Sequence, residues 1–262
     1  MNNLSVTTIQ TNLHWEDKNA NLQMLEEKIN TLHQGEIVVL PEMFSTGFSM
    51  NPQALAETMD GLTIQWMKAI ATSKKVILTG SIMVKEDGRF FNRLIWMLPN
   101  GTYGYYDKRH LFAYAGEQNH YTSGEKRLVA QVKGWRILLL ICYDLRFPVW
   151  SRQQVKNNAM EFDAIFYVAN WPEKRCIAWR TLLQARAIEN QCYVVGVNRV
   201  GNDGNGIYHS GDTSVIDPLG EIIYHENNKE AIATHMLNAR HLEDIRLKFP
   251  FWKDGDIFAI QG

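Results

Sequence analysis

The chain has 262 residues, 45% of them hydrophobic, and its 27 Lys and Arg nearly balance 28 Asp and Glu, for a formal net charge of −1. That balance, with no long basic run, argues against nucleic acid or an anionic membrane as a partner, and the longest apolar stretches, Ile137 to Cys142 and Ala164 to Ala169, fall far short of the roughly 20 residues a membrane helix needs. Three cysteines (Cys142, Cys176, Cys192) without CxxC spacing exclude a disulfide framework and a Cys-rich zinc site, and the start Met1-Asn2-Asn3-Leu4 does not read as a signal peptide, so a cytoplasmic protein with free thiols is expected.

Strand-like and helix-like segments alternate along the chain. Leu4 to Gln10 alternates as a strand does, and Leu22, Leu25, Ile29 and Leu32 then recur at helical spacing up to Gly35. Ile37 to Leu40 is a short buried-strand pattern ended by Pro41. A helix is expected from about Leu62 to Ser73, then a strand from Val76 to Val84. Phe90 to Leu98 and Thr102 to Tyr106 read as paired strands across the turn Pro99-Asn100-Gly101. Asp107 to Lys126 is a long polar and aromatic loop, a kind of segment that inside a domain usually carries function. After it come a strand from Trp135 to Cys142, a helix starting at Pro148, and a strand from Ala164 to Ala169. Cys176 to Asn190 reads as a helix and Cys192 to Asn198 as a strand. Gly201 to Gly206 is a hairpin turn, and strands near Thr213 to Ile216 and Glu221 to Tyr224 flank Asp217-Pro218-Leu219-Gly220. No linker or repeat divides the chain, so one domain over residues 1–262 is expected, with mixed sheets covered on both faces.

Polar chemistry meets an apolar strand end in three places. Glu42 follows Val38-Val39-Leu40-Pro41, where partial burial would raise its pKa toward that of a general base; the alternative is a helix cap or a salt-bridged loop glutamate. Lys108, in Tyr106-Asp107-Lys108-Arg109-His110, would be a fixed cation able to hold an oxyanion; the alternative is a solvated basic turn. Cys142 closes Leu138-Leu139-Leu140-Ile141 and precedes Pro148, a strand–elbow–helix pattern that exposes a nucleophile and aims a helix amino terminus at it, favouring thiolate. Cys192 heads an apolar strand and reads as a structural thiol, and Cys176 as a helix residue. The histidines lack metal-ligand spacing and HExxH is absent, so neither a metal nor a cofactor is expected.

Taken in order, Pro41-Glu42, Tyr106-Asp107-Lys108-Arg109-His110-Leu111-Phe112 and Cys142-Tyr143-Asp144-Leu145-Arg146-Phe147-Pro148 resemble the nitrilase, or carbon–nitrogen hydrolase, superfamily. Val168-Ala169-Asn170-Trp171-Pro172, Ala185 to Asn190 and Asp217 to Gly220 extend the resemblance over nearly the whole chain. The resemblance implies an α/β fold, a four-layer α-β-β-α sandwich with two mixed sheets, usually a homodimer. It also implies a metal-free Glu-Lys-Cys triad in which Cys142 is the nucleophile, Glu42 the general base and Lys108 the oxyanion stabiliser, with the Tyr143 N–H as second donor and Glu117 orienting Lys108 or the substrate. Within the superfamily the chain looks most like the omega-amidase branch, which implies hydrolysis of a small 2-oxo acid monoamide such as 2-oxoglutaramate or 2-oxosuccinamate. Such a substrate carries a carboxylate, for which Arg175 or Lys174, just after Trp171-Pro172, is the expected cation, with Arg146 as a second candidate or a structural ion pair.

Other readings stay open at this level. Cys142 could pair with His110 or His120 as a cysteine–histidine hydrolase. The scaffold could also serve another amidase, a nitrilase or a carbamoyl hydrolase, or a non-catalytic ligand-binding module, although all three triad residues are present.

Overall fold

A computed structural model describes residues 1–32, 35–156 and 159–260. In chain order the elements are β1 (Leu4–Gln10), α1 (Lys18–Asn30), β2 (Ile37–Val39), a single-turn α2 (Pro52–Leu55), α3 (Leu62–Lys74), β3 (Ile77–Glu86), β4 (Arg89–Met97) and β5 (Tyr103–Asp107). They continue with β6 (Leu128–Val132), β7 (Trp135–Ile141), α4 (Pro148–Ser151), the small pair β8 (Val155–Lys156) and β9 (Ala159–Met160), β10 (Ala164–Ala169), α5 (Cys176–Asn190) and β11 (Tyr193–Asn198). The chain closes with β12 (Val200–Asn202), β13 (Tyr208–Ile216), β14 (Ile222–Asn227), β15 (Ala231–Leu237) and α6 (Ala239–Lys248).

Two sheets carry the structure. The first runs β15-β1-β2-β3-β4-β5; the second runs β12-β13-β11-β10-β7-β6, with β14 also paired to β13. Each has a parallel centre (β1, β2, β3 in one; β7, β10, β11 in the other) and antiparallel flanks, so both are mixed as expected. Their strands are apolar on both sides because each side has its own layer to fill. On β2, Ile37 and Val39 join the core between the sheets, while Val38 packs with Leu25 and Ile29 of α1 and Met67 and Ile70 of α3. Leu94 and Trp96 face inward on β4 in the same way, and Ile95 and Met97 face the helices. Trp96 meets Phe166 of β10 across the interior, ring centroids 6.4 Å apart. Beyond the second sheet lies α5: a Cβ at Gly196 of β11 would come within 2.6 Å of the Leu183 side chain and 3.0 Å of Trp179, so only glycine lets the helix sit this close. The order is helix, sheet, sheet, helix, the four-layer sandwich.

Several boundaries differ from expectation for local reasons. Pro148 does start a helix, but it lasts four residues, and the turn after β7 is a 3-10 segment over Cys142–Arg146. The helical turn that starts at the cysteine is therefore this 3-10 segment, with α4 beginning six residues later. The strand β6, the strand β15 and the helix α6 were not foreseen; β15 pairs along its whole length with β1, from Leu4 opposite Leu237 to Gln10 opposite Ala231.

Candidate active site

The polar residues gather where strands end. Glu42 follows β2, Lys108 follows β5, Cys142 follows β7 and Asn170 follows β10. The loop after β2 is pinned to β3: Leu40 N donates to Thr79 O at 2.7 Å, Met43 N to Ser81 Oγ at 2.8 Å, and Phe44 N to Ser81 O at 3.1 Å. Glu42 is fully buried, as are Lys108 and Glu117 to within one per cent.

Lys108 Nζ donates to Glu42 Oε1 at 2.8 Å and to both oxygens of Glu117, at 3.1 and 2.9 Å. Burial opposes the lysine charge, but Glu117 and Glu42 outweigh it and hold the ammonium well above its ordinary pKa. The Glu117 carboxyl is raised, chiefly by burial and further by the charge of Glu42, with Lys108 pulling the other way. One buried cation cannot neutralise two carboxylates, so the cluster favours keeping a proton. Three further donors enter it: Asn92 Nδ2 reaches Glu42 Oε1 at 2.8 Å and Glu117 Oε1 at 3.3 Å, Asn170 N reaches Glu42 Oε2 at 2.8 Å, and Phe112 N reaches Glu117 Oε2 at 2.5 Å.

Cys142 stands beside this cluster with φ +43°, a left-handed conformation that costs a non-glycine residue energy and persists only where the surroundings enforce it. Asp144 does much of that enforcing. Fully buried, its carboxylate accepts from Ile141 N at 3.0 Å, His110 N at 3.0 Å and Tyr106 OH at 2.7 Å, tying the elbow to the loop that carries Lys108. The Cys142 Sγ lies 4.0 Å from Asn170 O. Its pKa moves opposite to the thiolate expected from the elbow: burial pushes it well up, the Glu42 charge adds to the push, and Lys108 opposes it. The resting sulfur is a protonated thiol that needs a base.

A cavity of about 470 Å³ opens over the sulfur, lined among others by Lys108, Cys142, Tyr143, Trp171, Arg146 and Arg175. Of the expected residues, Tyr143, Trp171 and Arg175 therefore line it; Lys174 does not and is exposed. Arg175 lies over Phe112, 5.1 Å from the ring centroid, and Arg146 over Trp171 at 5.0 Å. Neither forms an ion pair among the described residues, so Arg146 is not the structural pair that was the alternative. His110 is occupied elsewhere: Nδ1 is 2.8 Å from Asp144 Oδ1, and its ring stacks on Phe147 at 3.7 Å. It makes no hydrogen bond to Cys142, which removes the support for a cysteine–histidine pair; His120 lies outside the cavity lining.

Asn92 was missed in the sequence, as were Glu16, Asp203 and His209 on the cavity wall. A signal for Asn92 existed: it is a polar residue inside the apolar run Phe90 to Leu98.

Residues 5–246 match the carbon–nitrogen hydrolase family. The chain belongs to that family. This carbon–nitrogen hydrolase is 43% identical over 261 residues to an omega-amidase of Escherichia coli strain K12, covering 99% of this chain and all of the relative. It is 31% identical over 223 residues to a 2-oxoglutaramate amidase of Bacillus subtilis, covering 84% of each chain. Among solved structures, a carbon–nitrogen hydrolase superfamily protein of Xanthomonas campestris with an arsenic adduct in its active site superposes with a TM-score of 0.98 at 41% identity over the full length of both chains. Nit3 of Saccharomyces cerevisiae, from branch 10 of the nitrilase superfamily, superposes at 0.84 with 25% identity over 95% of each chain.

Proposed function

We propose that this hydrolase cleaves the terminal amide of a small 2-oxo acid monoamide, 2-oxoglutaramate or 2-oxosuccinamate, to the 2-oxo acid and ammonia through a thioester on Cys142. The observation that carries the reading is the strained, buried Cys142 thiol set beside a lysine clamped between two carboxylates. The full-length likeness to omega-amidases supports the substrate class.

The chemistry follows from the protonation states. Glu42 takes the thiol proton as Sγ attacks the amide carbon, and the carbonyl oxygen becomes an oxyanion held by the Lys108 ammonium and the Tyr143 N–H. Glu42 returns the proton to the amide nitrogen, the C–N bond breaks and ammonia leaves. A water then gives a proton to Glu42 and attacks the thioester; collapse expels the sulfur, which recovers the proton, and the carboxylic acid departs. One water is consumed for each amide cleaved. Glu117 keeps Lys108 aimed at the oxyanion. Arg175, helped by Arg146, meets the substrate carboxylate, while Tyr143 and Trp171 bound its carbon chain. We further infer one domain, a homodimer by family likeness, and a cytoplasmic setting suited to three free thiols.

The test is ammonia release from 2-oxoglutaramate and 2-oxosuccinamate against neutral amides of the same length. Release from the charged amides, lost in Cys142→Ala, is expected. No release from either, or release that survives Cys142→Ala, would overturn the reading.

A further inference from the structure

Lys108 and Asn92 are joined twice. Their backbones meet at the end of the β4–β5 ladder, where Lys108 N donates to Asn92 O at 2.9 Å. Their side chains then converge on the same two oxygens. Lys108 Nζ and Asn92 Nδ2 each reach Glu42 Oε1, at 2.8 Å in both cases, and each reach Glu117 Oε1, at 3.1 and 3.3 Å. The result is a closed ring of two donors and two acceptors, fully out of water.

The amide orientation this requires leaves Asn92 Oδ1 buried with no hydrogen-bond partner among the described residues. A buried carbonyl without a partner is costly, and such exceptions in a packed interior call for a compensating gain. The gain here is one side-chain amide donating to two carboxyl oxygens. Two donors also fill the acceptor capacity of Glu42 Oε1. Among the described residues Glu42 Oε2 accepts only from Asn170 N, at 2.8 Å, and keeps a free lone pair, which leaves it open to exchange a proton with the thiol.

We propose that Asn92 is a positioning residue for the hydrolysis, holding Glu42 and Glu117 at fixed spacing around the Lys108 ammonium so that Glu42 Oε2 faces the chemistry. The inference rests on the Glu42, Lys108 and Cys142 assignment above. Asn92→Leu keeps the side-chain volume and removes the donors. Lys108, Cys142 and Tyr121 are the other titratable groups around these carboxylates, and all three stay in place. Donors stabilise the ionised carboxylate, so losing them raises its pKa, and the acidic limb of the kcat/KM profile should move to higher pH. The expected result is a kcat lowered roughly 10- to 100-fold, KM held within about threefold, and a displaced limb. In a Glu117→Gln background the further loss should shrink, because half the ring is already gone.

A folded Asn92→Leu enzyme with unchanged kcat, or one that loses kcat with an unmoved acidic limb, overturns the proposal. If circular dichroism shows Asn92→Leu unfolded, Asn92→Asp carries the same test: it is isosteric, puts a third carboxylate in the ring, and must move the limb in the same direction. Turnover that survives Glu42→Gln would instead defeat the underlying assignment, whatever Asn92 does.

Discussion

Removing the cation at the centre of the site should destabilise the protein in a way that depends on pH. Lys108→Met leaves Glu42 and Glu117 buried without the ammonium that now contacts three of their oxygens at 2.8 to 3.1 Å. Breaking a buried pair from one side typically costs about 3–5 kcal/mol, and the full cost applies only while the carboxylates are ionised. The Glu117 carboxyl, already raised by burial, would move further above the unfolded value of about 4.3. A raised group lends its stability below the unfolded pKa and loses it as pH climbs, at up to about 1.4 kcal/mol per unit for each carboxylate. The stability deficit against the parent should therefore be small near pH 4.5 and grow by at least about 2 kcal/mol between pH 5 and pH 8. Urea unfolding of both proteins at several pH values measures it. Turnover should fall by at least about 10³-fold, since an oxyanion donor and the partner of the base are lost together. A deficit that does not change with pH would refute the idea that Lys108 is balanced against buried ionised carboxylates.

Four other outcomes are expected. Cys142→Gly should be more stable than Cys142→Ala by about 1 kcal/mol, because only glycine accepts φ +43° without strain, and chemical denaturation of the two inactive variants checks this. Iodoacetamide labelling of the resting enzyme at Cys142 should accelerate well above pH 8, following the raised thiol pKa, and Cys192, pushed up by its own burial, should stay unlabelled until unfolding. Arg175→Ala should raise KM for a carboxylate-bearing amide about tenfold or more, each tenfold being about 1.4 kcal/mol, and leave a neutral amide unaffected; Lys174→Ala should change neither. Asp144→Ala strands donors from Ile141, His110 and Tyr106, and should cost at least about 3 kcal/mol in unfolding free energy along with the turnover that the elbow supports.

The strands around the site were readable because burial on both faces makes them continuously apolar, as in Ile37 to Leu40 and Ala164 to Ala169. The strand β15 escaped because its outward residues, Ile232, Thr234 and Met236, alternate with small or polar ones, leaving no run to notice. The residues at strand ends were readable as types in sequence contexts. What could not be read was their mutual effect. Local sequence around Cys142 shows an elbow and suggests thiolate, but Glu42 lies 100 positions upstream, and its charge together with burial reverses the direction. Asn92 stands out locally as a polar residue in an apolar run, but its role was unreadable for the same reason: it depends on two carboxylates 50 and 25 positions away.

The distribution of the site over the two sheets has a consequence for how activity appears during refolding. Glu42 and Lys108 sit at strand ends of the first sheet, while Cys142 and Asn170 sit at strand ends of the second. One of the bonds that join the halves, Asn170 N to Glu42 Oε2, closes a separation of 128 residues. Neither sheet by itself supplies both the proposed base and the proposed nucleophile, so the site is complete only when the two are docked. Catalytic competence is thus a coincidence detector for docking of the two halves: on dilution from denaturant, ammonia release should lag the far-ultraviolet signal, since long-range contacts form last.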